Sequence, residues 1–129
     1  MQDAVAIVSN PDYIRVRFSR PLASLEEAQA LQEELERRVP AAGVGRVLFD
    51  HRGIEPHPDA IAIAMLQWAR DSQLAGTSVV VDTELARVRI NMTALAQRVA
   101  MRAFVSEVDA IRWLLDPEQR RPTREVKQL

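Results

Sequence analysis

The chain has no cysteine, a single lysine (Lys127) and only four glycines, three phenylalanines, two tryptophans and one tyrosine among its 129 residues. Without cysteine there is no disulfide, no thiolate zinc site and no cysteine nucleophile. Four scattered glycines form no Gly-rich phosphate loop, and Ser72, Ser78 and Ser106 stand in no nucleophile elbow. The N-terminus lacks a basic n-region, and its apolar run is too short for a signal peptide. No apolar stretch approaches the roughly 20 residues that span a bilayer. Charge of one sign is missing as well: 17 basic against 18 acidic side chains give a formal net charge of -1. Such a balance sets up no global field toward nucleic acid or an anionic membrane. A cytoplasmic chain, with no membrane insertion and no nucleic-acid partner, is the expectation.

What is present is ordinary for a single globular domain: 47% hydrophobic and 27% charged residues. Residues 1–115 read as that domain, and 116–129, DPEQRRPTREVKQL, as a polar tail with a locally basic run. Ala4 to Ser9 is β-prone, and Asn10-Pro11-Asp12 initiates a turn. Ile14, Val16 and Phe18 then alternate with Arg15, Arg17 and Ser19, the period of a strand with one wet face. Ser24-Leu25-Glu26-Glu27 is a capping box, with Ser24 and Glu27 expected to satisfy each other's backbone N–H. Leu25, Ala28, Leu31, Leu35 and Val39 follow at helical spacing until Pro40 and the Ala-Ala-Gly stretch end the helix.

Val44 to Phe49 is a compact apolar run with a polar exit at Asp50, as in a strand buried on both faces. Pro58 and Asp59 suit a helix start, and the helix is expected to run to about Leu74. Thr77 to Val81 is a second β-branched run. Leu85, Val88, Met92, Leu95 and Val99 space a third helix, 84–99. A strand near Arg102 to Val105 and a helix from Glu107 to Leu115, carrying Val108, Ile111 and Leu114, complete the domain. The order ββαβαβαβα predicts an α/β fold. It has a mixed, mostly parallel sheet of about five strands with four helices, the hairpin adding an antiparallel edge.

Several segments resemble the STAS-like superfamily, which includes the anti-sigma-factor antagonists and CRAL-TRIO-like relatives. They are the buried strand with its polar exit, Arg46-Val47-Leu48-Phe49-Asp50-His51-Arg52-Gly53, the strand Ser78-Val79-Val80-Val81-Asp82, and the ending Arg102-Ala103-Phe104-Val105 with Ala110-Ile111-Arg112-Trp113-Leu114. The resemblance covers roughly residues 4 to 115. It implies a bacterial, regulatory protein whose partner-facing surface is the helix after the central strand and the loop before it. Partner-switching antagonists carry a phosphorylated Ser or Thr at the start of that helix. Residues 51 to 70 contain neither, so the resemblance does not extend to the switch.

Three surfaces are candidates for function. The helix 58–74 is apolar nearly all round, which implies a second face turned to another chain. Ile63, Met65, Leu66 and Trp68 are its candidate anchors, with His51, Arg52, His57 and Asp59 as a polar rim, for a protein partner or a homodimer. Arg87, Asn91 and Arg98 share one face of the third helix and are the alternative, a site for an anionic or lipid-like ligand. His51, His57, Asp50 and Asp59 offer metal-ligand chemistry, but no HxxxH helical face or HxH strand pair presents two of them together. No catalytic residue, metal or cofactor is assigned.

Overall fold

In a computed structural model, the structure describes residues 4–42, 45–72 and 74–116. Five strands and four helices follow in the predicted order. They are β1 (Val5–Ser9), β2 (Ile14–Phe18), α1 (Leu25–Ala42), β3 (Arg46–Asp50), α2 (Asp59–Asp71), β4 (Gly76–Val80), α3 (Glu84–Gln97), β5 (Met101–Phe104) and α4 (Glu107–Leu115). The strands lie side by side in chain order. β1 and β2 pair antiparallel, and β2 to β5 run parallel. The hairpin closes where Asn10 N–H donates to the Tyr13 carbonyl (2.9 Å), leaving proline the position that needs no donor.

The sheet is covered on both faces, which is what a parallel sheet requires. On one face Ile14, Val16, Phe18, Val47, Phe49 and Val79 meet Ala28, Leu31 and Leu35 of α1 and Ile61, Trp68 and Ala69 of α2, with Ala86 and Ile90 of α3 at the margin. On the other, Leu48 and Val80 meet Ala110, Trp113 and Leu114 of α4. β3 is thus buried on both sides, as its unbroken apolar run predicts.

The boundaries and faces depart from expectation in several places. α2 stops at Asp71, short of the expected Leu74, with Ser72 as its C-cap. α1 continues two residues past Pro40, because a proline this close to a helix end forfeits only one late backbone bond. Ser24 Oγ caps α1 by accepting from Glu27 N–H (3.2 Å), but Glu27 does not return to the cap nitrogen. It accepts instead from Ala23 N–H (2.7 Å) and pairs with Arg20 (2.9 Å), a charged partner that outcompetes a neutral one. Leu25 and Val108 are exposed, each standing in the first turn of its helix, outside the packed face. A further feature, on α3, bears on function and is described below. Of the predicted tail, all but Asp116 lies outside the described residues.

Candidate interaction site

The polar exit of β3 is a locked corner. Asp50, fully buried, accepts from Arg15 (2.8 Å), Arg17 (3.0 Å) and Arg52 (2.8 and 2.9 Å), and Arg15 and Arg52 also pair with Glu107 at the start of α4 (2.8 and 2.6 Å). Burial pushes the Asp50 carboxyl up, but the Arg52 hydrogen bonds and the guanidinium charges outweigh it and hold the group at about 2. Arg15 and Arg17, which the alternation assigned to a wet face, tie β2 to β3 and α4. The loop is pinned further by His51 N–H to the Val80 carbonyl (2.9 Å) and Gly53 N–H to Asp82 Oδ2 (2.7 Å). Gly53 has φ 82°, a left-handed conformation that glycine adopts without a Cβ penalty.

The two histidines, which their spacing appeared to hold apart, come together on the opposite side of this corner. Their rings stand 5.0 Å apart and nearly perpendicular, both against Phe18 (4.9 and 4.7 Å). The loop doubles back over the end of β2, a tertiary contact that no local spacing rule registers. His57 Nδ1 accepts from Leu22 N–H (3.1 Å), which puts the proton on Nε2, buried and without a hydrogen-bond partner. Burial, and then His57 beside it, push His51 down to about 3 against the opposing pull of Asp50, although the residue as a whole is only partly buried. Burial lowers His57 too. Among the described residues no group of three or more His, Cys, Asp or Glu is gathered for a metal ion. With Arg52 held by Asp50 and Glu107, His51, Arg52 and His57 are structural members of the corner, and of the expected rim only Asp59 stands free on the surface.

α2 is less available than its composition suggests, because α1 covers one flank. Trp68 is 9% exposed and its Nε1 donates to Glu36 (2.9 Å), so it packs inward and cannot serve as an anchor. Met65 is partly buried in the same core, with Gln32 Nε2 3.5 Å from its sulfur. Leu66 is half-buried, and Ile63, 54% exposed, is the large apolar side chain α2 presents.

α3 has the opposite character. Ala86, Ile90 and Ala94 face the sheet, so the packed stripe is made of mostly small residues. The large ones face out: Leu85 is 59%, Val88 39%, Met92 66% and Leu95 67% exposed. At 100° per residue these four span an arc of about 80°, a continuous ridge directed away from the sheet. The series that spaced the helix is therefore its outer face, and only Val99 of it packs inward. The helix starts where Thr83 Oγ1 accepts from Ala86 N–H (3.1 Å). It ends at Arg98 in the left-handed region (φ 57°), with Val99 N–H bonded to the Ala94 carbonyl (3.0 Å).

The arginine face proposed for a ligand does not assemble. Arg87 is held by Glu84 (2.9 Å), and the Asn91 amide is committed to β5, donating to the Ala103 carbonyl (3.2 Å) and accepting from Ala103 N–H (2.6 Å). Arg98 sits on the exposed cap, apart from both. No helix among the described residues is long and apolar enough to cross a membrane. The outer ridge of α3 was the feature sequence reasoning missed. Its signal was the alternative stripe Ala86–Ile90–Ala94, whose small side chains let a helix sit close to the last strand.

A five-stranded sheet with one antiparallel edge, three helices on one face and α4 on the other defines a STAS-like, that is SpoIIAA-like, fold. The chain is similar in structure to an uncharacterized protein of the DUF3478 family with a SpoIIAA-like fold from Shewanella loihica PV-4. The TM-score is 0.63 at 18% sequence identity, over 86% of this chain and 92% of that one. No family model matches the sequence, and no curated protein does.

Proposed function

We propose that the protein is a non-enzymatic, cytoplasmic regulatory or scaffold module that acts by binding protein through an exposed apolar helix face. The observation that carries this reading is the outer ridge of α3, where four large aliphatic side chains stand in one row in water. Contiguous apolar surface of this kind is costly to leave solvated and is characteristic of contact surfaces. The fold is one whose resemblance implies regulation by protein contact, and the polar groups at the β3 exit are engaged with one another rather than poised for a reaction. Ile63 and Leu66 of α2, with Asp59 at its start, form a smaller neighbouring patch in the same helical layer. Arg70 at the end of α2 reaches Gln97 at the end of α3 (3.4 Å).

The reading is tested by affinity capture from the cells that make the protein, comparing the wild type with the Leu85→Glu, Met92→Glu double variant. Loss of specific partners in the folded variant supports it. Identical recovery by the two proteins, with unchanged self-association, overturns it.

A further inference from the structure

The ridge of α3 carries a symmetry of its own. Leu85 and Leu95 lie five positions to either side of Ile90, and Val88 and Met92 lie two positions to either side. The spacing is therefore the same read in either chain direction. A second copy of α3 laid antiparallel on the first places Leu85 against Leu95 and Val88 against Met92, and the reciprocal contacts follow from the dyad.

The charges along the helix have the matching polarity. Its N-terminal end carries Glu84 after Asp82, with Arg87 donating to both Glu84 oxygens (2.9 and 3.0 Å), and its C-terminal end carries Arg98. Glu84 and Arg98 border the ridge on the same side, about 60° and 100° from its centre at 100° per residue. A dyad perpendicular to two antiparallel helices keeps that side in common. At about 1.5 Å rise per residue, Arg98 of the second copy then lies only about 3 Å along the axis from Glu84. The acidic end of each helix so meets the basic end of the other, twice. Parallel pairing would instead set Glu84 against Glu84 and Arg98 against Arg98. Opposed helix dipoles favour the same arrangement.

We infer that the outer face of α3 is a homodimer contact, in which two copies pair antiparallel about Ile90 through Leu85, Val88, Met92 and Leu95, flanked by Glu84–Arg98 pairs. The inference rests on the interaction-module reading and names its partner as a second copy of this chain. Four side chains make a contact at the small end of interface sizes, which sets dissociation on the order of micromolar rather than nanomolar.

Sedimentation equilibrium of the full chain across a hundredfold concentration range tests it. The expected result is a reversible rise toward twice 14.5 kDa. Met92→Glu should weaken association at least tenfold with an unchanged circular dichroism spectrum. Arg98→Glu and Glu84→Arg should each weaken it several-fold, and the double reversal should recover most of the loss. Because the chain has no cysteine, introduced thiols report the register directly. A mixture of Val88→Cys and Met92→Cys proteins should oxidise to the mixed dimer faster than either alone. A monomer throughout overturns the homodimer, whatever the capture experiment returns. A dimer that ignores Met92→Glu, or Val88→Cys protein that cross-links best to itself, overturns the antiparallel ridge.

Discussion

Asp50 is the residue on which the β3 exit turns, since one buried carboxylate gathers three guanidinium groups. Asp50→Ala should cost about 2–3 kcal/mol, because removing one partner strands the other charges. Glu107→Gln, whose carboxylate is more exposed, should cost about 1 kcal/mol or less. Urea unfolding of both variants checks the order. The histidines make a second residue-scale prediction, in pH. His51 binds its proton only near pH 3 when folded but near 6.5 when unfolded. The unfolded chain therefore holds more protons between those values, and stability falls as pH drops through that window. From pH 7 to pH 5 the loss assigned to His51 is about 2 kcal/mol. His51→Phe should flatten the slope of unfolding free energy against pH over that range; an unchanged slope would show that the ring titrates as in water. The lowered carboxyls of Asp50 and Glu27 lose their contribution only further down, as pH falls from their unfolded values toward about 2, and that of Glu107, held down by Arg15 and Arg52, is likewise lost below its unfolded value. The polar character of this loop was plain in the sequence. Its histidine pairing was not, because Phe18 and Leu22 approach it from another element.

Among the elements, α3 shows how spacing can place a helix without saying which of its faces is buried. Its periodicity is genuine, and its residue range differs by two positions at one end from that expected. Two apolar stripes run along it, one of large side chains and one of mostly small ones. The sheet chose the smaller stripe, since Ala86 and Ala94 permit the close approach that lets Asn91 reach β5. Adjacent substitutions separate the two orientations. Ala94→Glu, at a position 1% exposed, should lower stability by more than about 3 kcal/mol, whereas Leu95→Glu should change it by less than about 1 kcal/mol. Thermal melts at low protein concentration make the comparison free of self-association. The loop before α2 gives a third test at this scale. Gly53→Ala adds a Cβ that meets nothing within 4 Å, so its expected cost of about 1 kcal/mol comes from the left-handed backbone alone. By contrast β3 and β4, continuous apolar runs bounded by polar residues, were legible because burial on both faces leaves no room for another pattern.

For the whole molecule, one sheet separates two apolar clusters, a large one under α1, α2 and α3 and a small one under α4. Since β3 and β4 contribute to both, Leu114→Ala should shift a single unfolding transition downward by about 3 kcal/mol rather than create a second one. The strand order could be anticipated from alternating periods, whereas the identity of the outward surface depended on how tightly each helix seats. Seating also decides what happens at the rim of the sheet. β5 is the last strand, and the Ala103 amide and carbonyl point away from β4, where a further strand would hydrogen-bond. The Asn91 side chain fills both bonds and acts as a strand one residue long. At that position the edge offers no free donor or acceptor to a further strand, which is how open edges are kept from sheet-to-sheet pairing. Replacing it with alanine would leave the native contacts of the ridge in place while opening a path to aggregates.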